Sequence, residues 1–440
     1  MTSTYNFLLN VFQKAKTEFK TNFFEILIAL VLLTLPLHYR FNSISIMLLC
    51  AYTIATFKKE NFRVTKTLLL PGLLYLLMVL SLFWTIDFAA SAKSLSKEVP
   101  LLLLPIIFLV NPLKSTSQQQ KVLHYFGFGM FIYAVFYLTK ATILFVLNGD
   151  SSVFFYHQLV SVDSNAIYIS VYFSVAFFVF YNKLIKTKID FFVLLTLFVT
   201  LVLLSSKNII VVFFLLLFVH QFLFFKTKLK SNYFFVFLIL FLVGFGFFFN
   251  KIKDRFLVEI ESNSEVISIN KEAQKKGYII YNVSIYRAWT AKRFENHDFF
   301  TGTSLRTYQI RIFLEMMQCN NAWLTGFGTN ATDLKIKQKQ AQYNLYPNYG
   351  TFNFHNQYIQ TFAEIGIFGF LVLLALLVLN IGKALQKKDF LHFSFAVLMI
   401  SLFLTESFLA RVRGVVFFTI LYCIFNQIYQ SRKDHSKKSI

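Results

Sequence analysis

The stretch FNFHNQYIQTFAEIGIFGF, residues 352–370, decides how the chain is read. It sets a histidine, several amides and a tyrosine against the start of an apolar run, and the run itself carries Glu364. A plain membrane anchor needs no such lead-in. Hydrocarbon offers polar groups no partners, so each must face protein or water. Following the helix inward from His355, Gln357, Gln360 and Glu364 recur at i, i+3 and i+7 and share one side. The stretch reads as an interfacial site continued down a protein-facing stripe. Ala363, Gly366 and Gly369 supply small surfaces for close helix packing.

The rest of the chain supports a membrane setting. Of its 440 residues 56% are hydrophobic and 15% charged, and mean hydropathy is +0.58. Those values lie outside the soluble range and suit a polytopic membrane protein. Apolar runs suited to about 30 Å of hydrocarbon recur at 23–39, 43–57, 67–84, 98–112, 122–147, 163–181, 190–205, 208–225, 232–250, 357–381, 390–410 and 414–430. They are too long and uniform for barrel strands, so the predicted fold is all-α with about twelve membrane helices. The first run follows a polar N-terminus without a small-residue cleavage pattern, and is expected to be a retained signal anchor.

A net charge of +22 would suit a nucleic-acid binder, but its placement argues otherwise. Basic residues gather on alternate loops: Lys14 to Lys20, Lys58 to Lys66, Lys183 to Lys188, Lys226 to Lys230, Lys383 to Lys388 and Arg432 to Lys438. The intervening short loops carry few. This positive-inside bias predicts cytoplasmic termini, and the 58 phenylalanines fall mainly inside the spans. No nucleic-acid partner is expected; membrane lipids are. The three cysteines, at 50, 319 and 423, make no metal-ligand spacing and no expected disulfide.

With that topology the chain divides into a nine-helix bundle over residues 1–250, an outer loop over 251–356, and about three helices with a basic tail over 357–440. The loop is too long for a connector and too aromatic for disorder, so a small, mostly helical cap is expected. Within it SIYRAWTAKRF (284–294) and SLRTYQIRIFLEMMQ (304–318) read as short amphipathic helices, the second with Ser304 as N-cap. Leu305, Tyr308, Ile312 and Met316 form its buried stripe. Arg306 and Arg311 lie roughly 140° apart around the axis and should grip different groups. The two glycines of LTGFGTN (324–330) make a tight, backbone-exposed turn.

Candidate chemistry gathers at the outer boundary. His355 is the candidate base, for imidazole exchanges protons near neutral pH. Lys207, Arg287, Arg306, Arg411 and Arg413 are the cations, suited to phosphate oxygens. Glu406, Arg411 and Arg413 could pair with one another or with a ligand. Asn356, Gln357, Tyr358, Glu364, Glu406 and Arg311 are supporting residues. Glu364 lies nine residues from His355, about half a turn round the helix, and is not expected to orient the imidazole directly. A histidine at an interface is also a common amphipathic anchor, and Arg411 with Arg413 could simply balance Glu406. A phosphate-bearing lipid at headgroup depth would suit the whole set, with the cations stabilising a departing diphosphate.

The segments FHNQYIQTFAEIGIFGF, SLRTYQIRIF, LTGFGTN and LTESFLARVRG together resemble the O-antigen ligase and polymerase superfamily, inner-membrane enzymes of bacterial surface-glycan assembly similar to metal-independent GT-C glycosyltransferases. The resemblance implies a GT-C-like fold and a periplasm-facing active site. It also implies an undecaprenyl-diphosphate-linked glycan donor, and a lipid A–core or other glycan hydroxyl as acceptor. His355 would be the catalytic base and Arg306 would engage the diphosphate. In the short outer turn the family usually carries an arginine after its serines; Lys207 stands here and keeps the charge without the planar fork. No metal and no cofactor are implied, and glycan-assembly partner proteins are. A repeat-unit polymerase and a protein O-oligosaccharyltransferase share this donor. A transporter of lipid-linked glycan is the reading from another class; transporters favour repeats and midplane polar groups, and no repeat is evident.

Overall fold

The computed structural model describes residue 13 and residues 16–161, 164–224, 233–247, 268–269, 280–295 and 297–427. The basic segments at 226–230 and 432–438, Lys14, and residues 251–267 and 270–279 of the expected outer loop lie outside the described residues. The fold is helical. In chain order the helices are α1 (Phe23–Leu33), α2 (Tyr39–Ala55), α3 (Lys66–Leu80), α4 (Phe88–Glu98), α5 (Pro100–Val110), α6 (Thr116–Asn148), α7 (Ala166–Tyr181), α8 (Lys188–Leu203), α9 (Lys207–Val219), α10 (Tyr233–Phe247), α11 (Ile285–Thr290), α12 (Gly302–Cys319), α13 (Thr332–Gln342), α14 (Gln357–Lys387), α15 (Phe390–Phe403) and α16 (Val412–Asn426). A helix stands at every apolar run. Those over Lys66–Phe83, Thr116–Asn148, Lys207–Phe224 and Gln357–Lys387 are long and apolar enough to cross a membrane. The protein is an integral membrane protein built from helices.

The chain packs as two units. The first draws on Met1–Leu69, Leu103–Ser206 and Val416–Ile440. Its centre is α7, buried on nearly every face as expected of a helix apolar all round. Helices α6 and α8 pack on it and α1 packs on α6. Polar groups inside this unit bond to backbone: Asn42 donates to the Val31 carbonyl (2.8 Å) and Tyr133 to that of Leu33 (2.9 Å). Lys140, which the hydropathy left alone in the fifth span, donates to the Val160 carbonyl at 2.7 Å.

The second unit, Leu70–Leu102 with Lys207–Val415, holds every candidate site residue. Between α10 and α14 it contains a folded core of Val283, Phe294, Phe300, Tyr308, Ile312, Phe313, Met316 and neighbours. Tyr308, Ile312 and Met316 of the expected stripe are buried there. A small sheet that no local pattern announced joins it. β1 (Ser268–Ile269) runs antiparallel to β2 (Tyr281–Val283), and β2 runs parallel to β3 (Asp298–Phe300). The first amphipathic helix stops at Thr290, short of the expected 294, and Ser284 caps it by accepting from the Arg287 N–H at 3.1 Å. Helix α12 begins earlier than expected. Thr301 is its N-cap residue and Ser304 lies inside the first turn, buried against Thr301.

The largest departure from expectation is in α14. It breaks at Ile365 (φ −126°) and Gly366 (φ +68°, ψ −165°). The backbone groups freed by the break are met by Trp323 and the LTGFGTN loop that follows it. Phe327 N–H donates to the Ala363 carbonyl and Gly328 N–H to that of Glu364, both at 2.8 Å, and Ile367 N–H donates to Trp323 O at 3.0 Å. Gly366 therefore serves conformation rather than helix packing. A Cβ there would collide with the Leu324 carbonyl, and the left-handed φ disfavours any other residue. Broken helices within an apolar span persist only where protein satisfies the exposed backbone, as it does here. The loop is in turn tied to residues 81–87: Trp84 Nε1 donates to Thr325 O (2.8 Å) and Ile86 N–H to Phe327 O (3.0 Å).

Candidate functional site

His355 sits one residue before the Asn356 cap of α14, in a left-handed turn with φ +46°. The motif FNFHNQ builds that turn. Asn353 accepts the His355 N–H through Oδ1 (3.1 Å), Asn356 accepts the Ile359 N–H (3.1 Å), and Gln309 of α12 donates to the Asn353 carbonyl. Histidine is among the residues that tolerate such a φ, and non-glycine residues held there cluster at functional sites. The ring is partly exposed, and Nδ1 lies 3.5 Å from Glu406 Oε2. Glu406 thus lies beside the histidine.

The turn that carries Glu406 is held from three sides. Asn356 Nδ2 donates to Leu404 O (3.2 Å), and Asn356 N–H to Ser407 Oγ (3.3 Å). Gln357 Oε1 accepts the Leu409 N–H at 2.7 Å, and Tyr358 donates to Ile400 O at 2.9 Å. Asn208, beside Lys207 at the start of α9, donates to Thr405 Oγ1 at 2.8 Å. From α12, Arg306 donates to the Thr405 carbonyl through Nη2 (3.0 Å) and Nε (3.3 Å), and to Gly302 O through Nη1 (3.0 Å). Thr405 is the meeting point: α9, α12 and the start of α14 all reach its immediate neighbourhood. His355, Glu406, Arg306 and Asn208 are drawn together by it, with Lys207 the residue before Asn208.

Gln360 links this cluster to Glu364. Its Oε1 accepts from Phe354 N–H (3.3 Å) and Ser407 Oγ (3.5 Å), the residues next to His355 and Glu406. Its Nε2 donates to Glu364 Oε1 and, at 3.3 Å, to Thr332 Oγ1. Glu364 touches the site through that amide and not through the imidazole, as the helical angle suggested.

The remaining cations divide. Arg287 makes a bidentate pair with Asp298 (2.7 and 2.6 Å), and Arg311 bonds Glu315 Oε1 (3.0 Å), Ala291 O (2.8 Å) and the Tyr343 hydroxyl (2.9 Å). Burial works against the Glu315 charge. Hydrogen bonds from Lys339, Tyr343 and Arg311 outweigh it and hold the carboxyl below its usual range. Of these three arginines only Arg306 lacks a carboxylate partner among the described residues; carbonyls position it without neutralising it. Arg411 is exposed and Arg413 half-buried on the turn into α16. Among the described residues no group of three or more His, Cys, Asp or Glu side chains is placed to hold a metal ion.

Asn208, Thr405 and Ser407 were not singled out from sequence. Thr405 acts largely through its carbonyl, which leaves no residue-type signal; Asn208 could have been found only as the neighbour of Lys207.

A histidine and a carboxylate thus meet at one turn of a helical membrane protein, with an arginine that has no carboxylate partner bonded to the same turn. The model of the O-antigen ligase family matches residues 192–374, a span that includes Lys207, Arg287, Arg306, His355 and Glu364. The match covers less than half of the chain and marks the likeness of this part to that family. A search of curated proteins returns no match.

Proposed function

We propose that the protein is an O-antigen ligase-type glycosyltransferase of the bacterial inner membrane, with both termini cytoplasmic. It moves a glycan from undecaprenyl diphosphate to a lipid A–core hydroxyl on the periplasmic face. The observation that supports it best is the His355–Glu406 pair at 3.5 Å beside Arg306, which keeps its charge. His355 takes the proton of the acceptor hydroxyl, and Glu406 stabilises the imidazolium that forms. Arg306, with Lys207, stabilises charge developing on the departing diphosphate. The outer loop over 251–356 is the cap over this site, and the twelve apolar helices are the membrane bundle. Asn356, Gln357 and Tyr358 hold the turn that carries Glu406. No divalent ion takes part, so activity is expected to survive chelator; loss in chelator and return with a divalent ion would remove that element.

Electrophoresis of surface glycolipids from a strain lacking the protein, complemented with wild type or His355→Ala, tests the proposal. A ligase leaves the core bare while long polymer accumulates on undecaprenyl diphosphate, and His355→Ala does not restore it. A core bearing a single repeat identifies a polymerase, and an unchanged ladder with altered glycoproteins a protein O-oligosaccharyltransferase. The break in α14 is a device that transporters also use. Rescue by the alanine variant, with lipid-linked glycan trapped on the cytoplasmic side of the deletion strain, would favour that reading.

A further inference from the structure

Below the turn that carries Glu406, the second unit encloses a small cavity bordered by Ser94, Lys97, Glu98, Thr329, Asn330 and Glu364, with room for about one water or ion. Glu98 is the last residue of α4, where the helix dipole disfavours negative charge, and is only 5% exposed. Its Oε2 meets no hydrogen-bond donor among the described residues. Glu364 is 7% exposed and accepts from Gln360 Nε2 and from the Asn330 backbone N–H.

The hydroxyl protons on the wall point away from the cavity. Ser94 donates to Ser91 O at 2.8 Å. Ser81 donates to Met78 O at 2.7 Å, so in its 3.1 Å contact with Thr329 the threonine must be the donor. Both hydroxyl oxygens keep their lone pairs, and the carboxylates add more. A single water, with two protons, cannot satisfy such a wall. Charge points the same way. Lys97 is exposed at the rim and makes no ion pair with either carboxylate, so negative charge buried here is strongly unfavourable without a cationic partner.

We propose that the cavity binds one monovalent metal cation, sodium or potassium, between Glu98 and Glu364. Hard carboxylate and hydroxyl oxygens suit such an ion, and its positive charge supplies that partner. The site lies across Gln360 from the His355–Glu406 turn and ties α4 to the first half of α14.

The purified full chain, melted in choline chloride with sodium or potassium chloride substituted at constant ionic strength, tests this. The melting midpoint is expected to rise saturably with sodium, potassium or both. The rise should vanish in Glu98→Gln and need several-fold more cation in Thr329→Val, which also decides the matter if Glu98→Gln fails to fold. Identical melting in all three salts overturns the proposal, since a shared proton or water then fills the cavity. A rise unchanged in Thr329→Val overturns it by moving the cation elsewhere. Cation dependence that appears only in Lys97→Met overturns it too, by showing that the lysine occupies the site.

Discussion

Arg306 and Arg311 lie five residues apart on one helix and are put to opposite uses. Arg311 reaches into the core of residues 283–363, where Glu315 neutralises it and the Tyr343 ring lies 4.5 Å from its guanidinium carbon. Arg306 reaches the 404–411 turn and finds only carbonyls. The roughly 140° between them is enough to send one inward and leave the other charged at the site. Arg287, forked onto Asp298, belongs with Arg311. The sequence offered Arg306 and Arg287 to phosphate and Arg311 as a supporting residue; partner decides.

That contrast can be broken most sharply at Arg306. Arg306→Ala should lower transfer at limiting donor by on the order of a hundredfold, as loss of a transition-state donor does. Its melting temperature should stay near wild type. Arg306→Lys should recover part of the loss, because charge returns without the fork. Equal activity at limiting and saturating donor would sever Arg306 from the diphosphate.

Arg311→Ala should do the reverse. Breaking a largely buried pair costs about 3 kcal/mol, read as a lower melting temperature and lower yield, while turnover per folded molecule holds. A stable but inactive Arg311 variant would erase the distinction.

Glu406→Gln sharpens the account of the histidine. It keeps the shape and removes the charge that steadies the imidazolium, so kcat should fall about tenfold with little change in donor KM. An unaltered kcat and pH profile would reduce the contact at 3.5 Å to proximity.

The smallest effect lies at Glu315. Its folded carboxyl is held below the usual range, so its contribution is present above the ordinary glutamate pKa, about 4.3, and is lost as pH falls through the folded value. Glu315→Gln should therefore melt lower at neutral pH and lose less on acidification than wild type. Parallel melting-versus-pH curves would contradict the pairing.

Much of this was legible in the sequence because it is local. Hydropathy located a helix at each run, the Tyr308–Ile312–Met316 stripe marked the core, and the polar lead-in placed His355 at a helix start. What stayed hidden depends on contacts between distant segments. Glu406 is fifty-one positions beyond His355, and nothing near either announces the pairing. The Ser304 cap failed because Thr301, equally suited by type, comes first once β3 fixes where the chain turns. Gly366 read as a packing glycine because hydropathy runs through a break without a change in pattern.

The break in α14 has a consequence for the order in which the chain is made. The break frees the Ala363 and Glu364 carbonyls and the Ile367 N–H, which residues 323–328 satisfy, and those residues are synthesised about forty positions earlier. The filler therefore leaves the ribosome before the gap it fills. A circular permutant opened between 330 and 350 would reverse that order, asking an interrupted apolar segment to enter the bilayer while its missing hydrogen bonds are still untranslated.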